Sequence, residues 1–150
     1  MEHPGPAADD RSQGWHALLA EQDGVITRRQ ALRGGLTEDQ WQWRLDSARW
    51  RSLLPGVVVT HTGPVTAQQQ AWAAVLASGS GACLSGDAAL AALGMPLGDL
   101  AVLHVAVPED RIVVSRVLGP AGAAVRVVPR RVTGLSRWSH PARRPPTVRV

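Results

Sequence analysis

Three stretches of this 150-residue chain carry the same punctuation: Thr27-Arg-Arg-Gln30, Thr37-Glu-Asp-Gln40 and Thr66-Ala-Gln-Gln69. In a Thr-x-x-Gln capping box the threonine hydroxyl accepts the amide three residues on, and the glutamine side chain returns to the threonine amide. Two donors that a helix start leaves orphaned are met together. A good cap contributes about 1 kcal/mol, so the three boxes predict three helix starts. Leu36 and Trp41 flank the second box at the staple positions and reinforce it. The helix after the first box, Arg28 to Arg33, ends at Gly34-Gly35, where a left-handed cap carries no Cβ strain. Only a few residues then remain before the next helix, which is a helix-turn-helix spacing.

Ahead of these, Trp15, Leu18, Leu19 and Gln22 form a short helical face that stops near Asp23-Gly24. The third helix, about Glu38 to Ala48, places Trp41, Leu45 and Ala48 on one stripe, which assigns Trp41 to the core and Trp43 to another side. The apolar runs Trp50 to Leu54 and Val57 to His61 are joined by Pro55-Gly56, a pair suited to the centre of a type II turn, and predict a β-hairpin. Trp50 is placed to seal that hairpin onto the helices. The predicted fold is α+β: a flexible tail over 1–13, a winged helix-turn-helix over 14–62, and a small two-helix plus β-strand domain over 63–130. In that second unit a helix from Thr66 to about Ala77 turns Ala71, Trp72, Val75 and Leu76 inward. The turn Ser78-Gly-Ser-Gly81, a helix capped by Ser85, and strands at Val102–Val107, Ile112–Val117 and Val125–Val128 follow. Residues 131–150 form an Arg- and Pro-rich tail whose last four residues look like the start of a strand.

The longest uninterrupted apolar run, Ala71 to Ala77, is far short of the roughly 20 residues a spanning helix needs, and the first residues lack the apolar stretch of a secretory signal. A cytoplasmic protein is predicted. Cys83 has no partner for a disulfide and cannot by itself build a structural zinc site; the five histidines show no ligand spacing. His104, on an apolar strand, reads as a core or edge histidine. Gly79-Ser-Gly81 lacks the lysine of a phosphate loop, and no acidic cluster sits beside a lysine, since the chain has none. No enzyme, cofactor or metal is predicted. Residues 1–66 hold seven Arg against eight acids, whereas residues 67–150 hold nine Arg against four; from Ile112 onward there are eight Arg and no acid. Nonspecific attraction to a polyanion is therefore concentrated in the C-terminal half.

On the helix-turn-helix reading, Gln40, Gln42, Trp43, Arg44 and Ser47 lie off the core stripe of helix three and are candidates for the DNA major groove, Gln pairing with adenine and Arg with guanine. Arg28, Arg29 and Arg33 on helix two, with Arg49 and Arg51 by the wing, are candidates for phosphates. Glu38, Asp39 and Asp46 oppose this, because a carboxylate facing phosphates lowers affinity. Trp43 has two readings: a contact to a thymine methyl or a sugar, or packing against the second half of the chain. Arg137-Trp138, among Arg130, Arg131, Arg143 and Arg144, suits a nucleic-acid contact with stacking and equally a solvated tail.

The ordered series "LLAEQDGVITRRQALRGGLT", "ARWRSLLPGVVVTHTGPVTAQQQAWAAVLASGSGACLSGDAALAALG" and "LHVAVP" resembles the N-terminal region of the AbiEi-like antitoxin family in its actinobacterial form, over about residues 15 to 108. The resemblance implies a winged-helix DNA-binding autoregulator of a type IV toxin–antitoxin operon, acting on its own operator and opposing a nucleotidyltransferase-type toxin without necessarily forming a tight complex with it. Relatives that continue into a Vsr-type endonuclease domain imply a second role, that of a non-catalytic docking or DNA-targeting module. A winged helix used purely for protein interaction is the third.

Overall fold

In the computed structural model, which describes residues 6–119, 125–141 and 143–148, all three capping boxes close. The Thr27, Thr37 and Thr66 hydroxyls accept the Gln30, Gln40 and Gln69 amides at 3.0, 3.1 and 3.1 Å, and each glutamine returns to its threonine amide. They open α2 (Arg28–Arg33), α3 (Glu38–Asp46) and α4 (Ala67–Ala77). Before them α1 spans Pro6–Glu21, so residues 6–13 are helical rather than part of the predicted flexible tail; residues 1–5 lie outside the described residues. Helix α3 stops two residues short of its predicted end because Ala48 takes a left-handed φ of 58°, which cannot continue a right-handed helix, and Ala48 is exposed rather than on the core stripe.

Strands β1 (Val25–Thr27), β2 (Arg51–Leu54) and β3 (Val57–Val59) form an antiparallel sheet in the order β1-β3-β2. The predicted hairpin is β2–β3, turning on Pro55-Gly56 with Gly56 at φ 73°, as a type II turn requires. Strand β1 carries no sequence signal, since three residues are too few to show alternation.

All three β3 valines are buried, and they face two ways. Val58, with Ile26 of β1, joins Trp15, Ala31, Leu36, Trp41 and Trp50 on the side of α1 to α3. Val57 and Val59, with Val25, Leu53 and Leu54, join Trp72, Ala73, Ala74 and Val75 of α4 and the apolar residues of a second sheet. The hairpin is thus a wall shared by two packed layers rather than a free flap, and one core runs through the predicted boundary at residues 62 and 63. Gln69, 5% exposed, ties the same junction by polar contacts: its Nε2 donates to Asp23 O at 2.8 Å, and its Oε1 faces His61 Nε2 at 3.0 Å.

The second sheet runs β6-β7-β5-β4-β9-β8. Its strands are β4 (Cys83–Leu84), β5 (Val102–Pro108), β6 (Arg116–Val117), β7 (Arg126–Val132), β8 (Ser139–His140) and β9 (Thr147–Val148), with α5 (Gly86–Ala92) and α6 (Leu135–Trp138) between them. Strands β5 and β7 pair in parallel, as do β4 and β9. The segment 131–150 is therefore not a solvated tail where it is described. It closes β7, supplies α6 and β8, and seats β9 beside Leu84 with Thr147 buried. The strand predicted over Ile112–Val117 shrinks to Arg116–Val117, leaving Ile112 and Val114 exposed, and Ser85 caps α5 without a side-chain bond. The fold is α+β, and no helix among the described residues is long and apolar enough to cross a membrane.

Gly34, between α2 and α3, is required for a close approach rather than for its φ of −81°. A Cβ there would stand 2.7 Å from Trp15 Cβ and 2.8 Å from Trp15 N. Gly34→Ala must push α1 off the α2–α3 turn and is expected to lower stability by about 1–3 kcal/mol in urea unfolding. An unchanged midpoint would contradict this contact.

Candidate nucleic-acid interface

Helix α3 is held from beneath by tryptophan. Trp50 meets Trp15 and Trp41 edge-on, both at 5.7 Å between ring centroids, and all three are buried. Such T-shaped pairs add about 0.5–1.5 kcal/mol each beyond the area they bury. The Arg44 guanidinium lies over this cluster, 4.9 Å from the Trp50 ring centroid and 5.3 Å from that of Trp15. Its Nε is buried with no acceptor among the described residues. Arg44, predicted to read guanine, is instead a half-buried lid on the aromatic core. Its position three residues after Trp41 put it at the flank of the core stripe, and that spacing was the signal for its role.

The opposite face of α3 is open. Gln40, Gln42, Trp43 and Ser47 are exposed, Trp43 by 53%, so Trp43 does not pack against the second half of the chain. Arg49 stacks over the Trp43 ring at 4.9 Å, and Gln42 Nε2 donates to Asp46 Oδ1 at 2.9 Å. Gln40 is less free than it looks in sequence. Its Oε1 accepts the Thr37 amide at 2.9 Å, so a two-point contact to adenine would have to break the cap. The Ser47 hydroxyl donates to Arg44 O at 3.3 Å.

The arginines predicted to grip phosphate separate into three environments. Arg28 pairs with Glu38, its Nε donating to Glu38 Oε2 at 3.1 Å, so that charge is neutralised on the spot. Arg51 is half-buried; its Nε donates to His61 O at 3.0 Å and a second N–H to Gly63 O, which fastens the loop after β3. Neither is available as predicted. Arg29 and Arg33, one turn apart on α2, line a cleft together with Arg111, Arg116 and Arg144, and no α3 residue lines it. Only Arg49 stays beside the open face of α3, where Glu38, Asp39 and Asp46 are also exposed. The cleft was missed because its arginines are far apart in sequence; the acid-free run after Ile112 was the available hint.

Other chemistry is sparse. Burial pushes the Cys83 thiol up to about 11, so at neutral pH it is protonated and a poor nucleophile. Among the described residues no group of His, Cys, Asp or Glu could hold a metal ion, and His104 is exposed on β5. Compared with protein-family models, with curated proteins and with solved structures, the chain finds no significant match in any of the three.

The two neighbours on α3 should behave oppositely in unfolding experiments. Trp43→Ala is expected to leave stability within about 0.5 kcal/mol, as for an exposed side chain. Arg44→Ala is expected to cost about 1–2 kcal/mol through lost stacking and lost cover over Trp15 and Trp50. Equal effects would contradict the division of α3 into a buried and a presented face.

Proposed function

We propose that the unit from α1 to β3 is a winged helix-turn-helix that binds duplex DNA through the open face of α3, in an antitoxin-like autoregulator set against a nucleotidyltransferase-type toxin. The single observation that carries the DNA-binding part is Trp43: a large aromatic side chain left 53% exposed, with Arg49 over its ring, next to Gln42, on the helix that follows a short capped turn. The antitoxin part rests on the sequence resemblance. The contact set narrows to Gln42, Trp43, Ser47 and Arg49. Gln42 can meet adenine, Trp43 a thymine methyl or a sugar, Ser47 a base edge or phosphate, and Arg49 a phosphate. The hairpin has both faces covered, so the wing supports α3 rather than lying in a groove. No catalytic step and no cofactor enter this proposal.

The exposed carboxylates Glu38, Asp39 and Asp46 favour a second use of the same face. They would suit docking to a basic protein surface, as in a non-catalytic module leading a Vsr-like nuclease.

A mobility-shift titration on the DNA upstream of the gene separates the two. Duplex binding predicts a site-preferring complex with a shallow salt dependence, since few phosphates are met. Gln42→Ala combined with Trp43→Ala is expected to lower its affinity by about 1–3 kcal/mol. A complex without site preference, or one indifferent to both substitutions, would favour docking.

A further inference from the structure

The cleft that draws Arg29 and Arg33 away from α3 has a volume of about 630 Å³. It opens between α2, the Pro55-Gly56 turn, the second half of α4 and the turn at Gly79–Ala82. Arg29, Arg33, Arg111, Arg116 and Arg144 line it, against a single carboxylate, Glu21. None of the five is in an ion pair among the described residues, where Arg28 and Glu38 form the salt bridge. Gathering five like charges in one concavity is unfavourable unless an anion is bound there.

Three of these arginines have a structural task as well; Arg144 donates to Pro141 O at 2.5 Å and to Arg143 O at 3.2 Å. Arg111 donates to Ser80 O at 3.0 Å and Arg116 to Ala77 O at 2.9 Å, satisfying carbonyls at and just beyond the end of α4. A guanidinium has five N–H donors, so these bonds aim each fork and leave most of its donors unspent. Arg29 and Arg33 make no such bond among the described residues; they are exposed and lie one turn apart on one side of α2. Trp72, also on the wall, is 4% exposed, and its indole N–H is buried without an acceptor among the described residues.

The size of the cleft lies within the roughly 300–1,000 Å³ typical of small-molecule sites. Planar guanidinium forks match phosphate oxygens two at a time, and four net positive charges call for a ligand with several negative ones. We propose that this cleft binds a small polyphosphate-bearing ligand of nucleotide size. Such binding is separate from duplex recognition by α3, which shares no lining residue with it.

Calorimetric titration of the full chain with inorganic tripolyphosphate and with ATP, at about 0.15 M salt to screen diffuse attraction, tests this directly. No DNA is present, so failure of the duplex proposal leaves the result unaffected. The expected result is saturable one-to-one binding that R29E/R33E weakens at least about tenfold, the worth of one charge-assisted hydrogen bond. R130E/R131E, an equal change of charge at exposed positions outside the cleft, should leave binding intact. If R29E/R33E melts early, R29Q/R33Q carries the same comparison. Absence of saturation, equal weakening by the two charge reversals, or displacement of tripolyphosphate by a tighter-binding single-stranded oligonucleotide would each overturn the proposal; the last would assign the cleft to a nucleic-acid strand.

Discussion

Strand β3 is three valines long, and both halves of the molecule are built against it. Because successive side chains on a strand point to opposite faces, Val58 completes the tryptophan layer while Val57 and Val59 complete the layer made by α4 and the larger sheet. A polar residue at any of the three would remove a wall from one layer or the other. The arrangement also explains why the hairpin cannot swing as an independent wing. Its two faces are occupied, and its neighbour β1 is tied back by the Gly24 carbonyl, which accepts both the amide and the hydroxyl of Thr60.

With the sheet fixed, the three tryptophans packed beneath α3, Trp15, Trp41 and Trp50, decide what it can present. Trp41 and Trp50 take up the inner face of the helix, and Arg44 closes over Trp50 and Trp15, so the side chains left to solvent are those about half a turn away. Trp43 is among them for geometric reasons, and its exposure is what distinguishes α3 from an ordinary surface helix. The charges are sorted differently. Exposed carboxylates Glu38, Asp39 and Asp46 sit on or beside α3 with Arg28 paired to Glu38, whereas five arginines without an ion pair among the described residues line the cleft behind α2. The face with the aromatic anchor and the concavity with the positive charge are thus two different places on the protein, which is why two separate ligands are proposed for them.

What was legible in the sequence was what local physics sets. The Thr-x-x-Gln boxes act within four residues, and the helices they open begin where the spacing predicts; the Pro55-Gly56 turn and the inward Trp41 follow from equally short-range rules. The partners of each arginine were not legible. Arg28 meets Glu38, Arg51 meets the His61 and Gly63 carbonyls, and Arg116 meets Ala77, and each of these partnerships depends on the fold being complete. The same limit hid β1 and the order within 131–148: three- and two-residue strands carry no periodicity, and β9 is a strand because β4 lies next to it. Composition alone made that segment look solvated.

The proposed role of α3 depends on one arrangement, with Trp15, Trp41 and Trp50 buried beneath the helix and Trp43 held out on its open face. Its most direct measurement is a nitrogen–proton correlation spectrum of the six tryptophan indoles, recorded while the DNA upstream of the gene is added. The Trp43 indole signal is expected to move in proportion to bound DNA while those of Trp15, Trp41 and Trp50 keep their positions. A Trp43 signal that stays still at saturation, or shifts of the three buried indoles in its place, would contradict it.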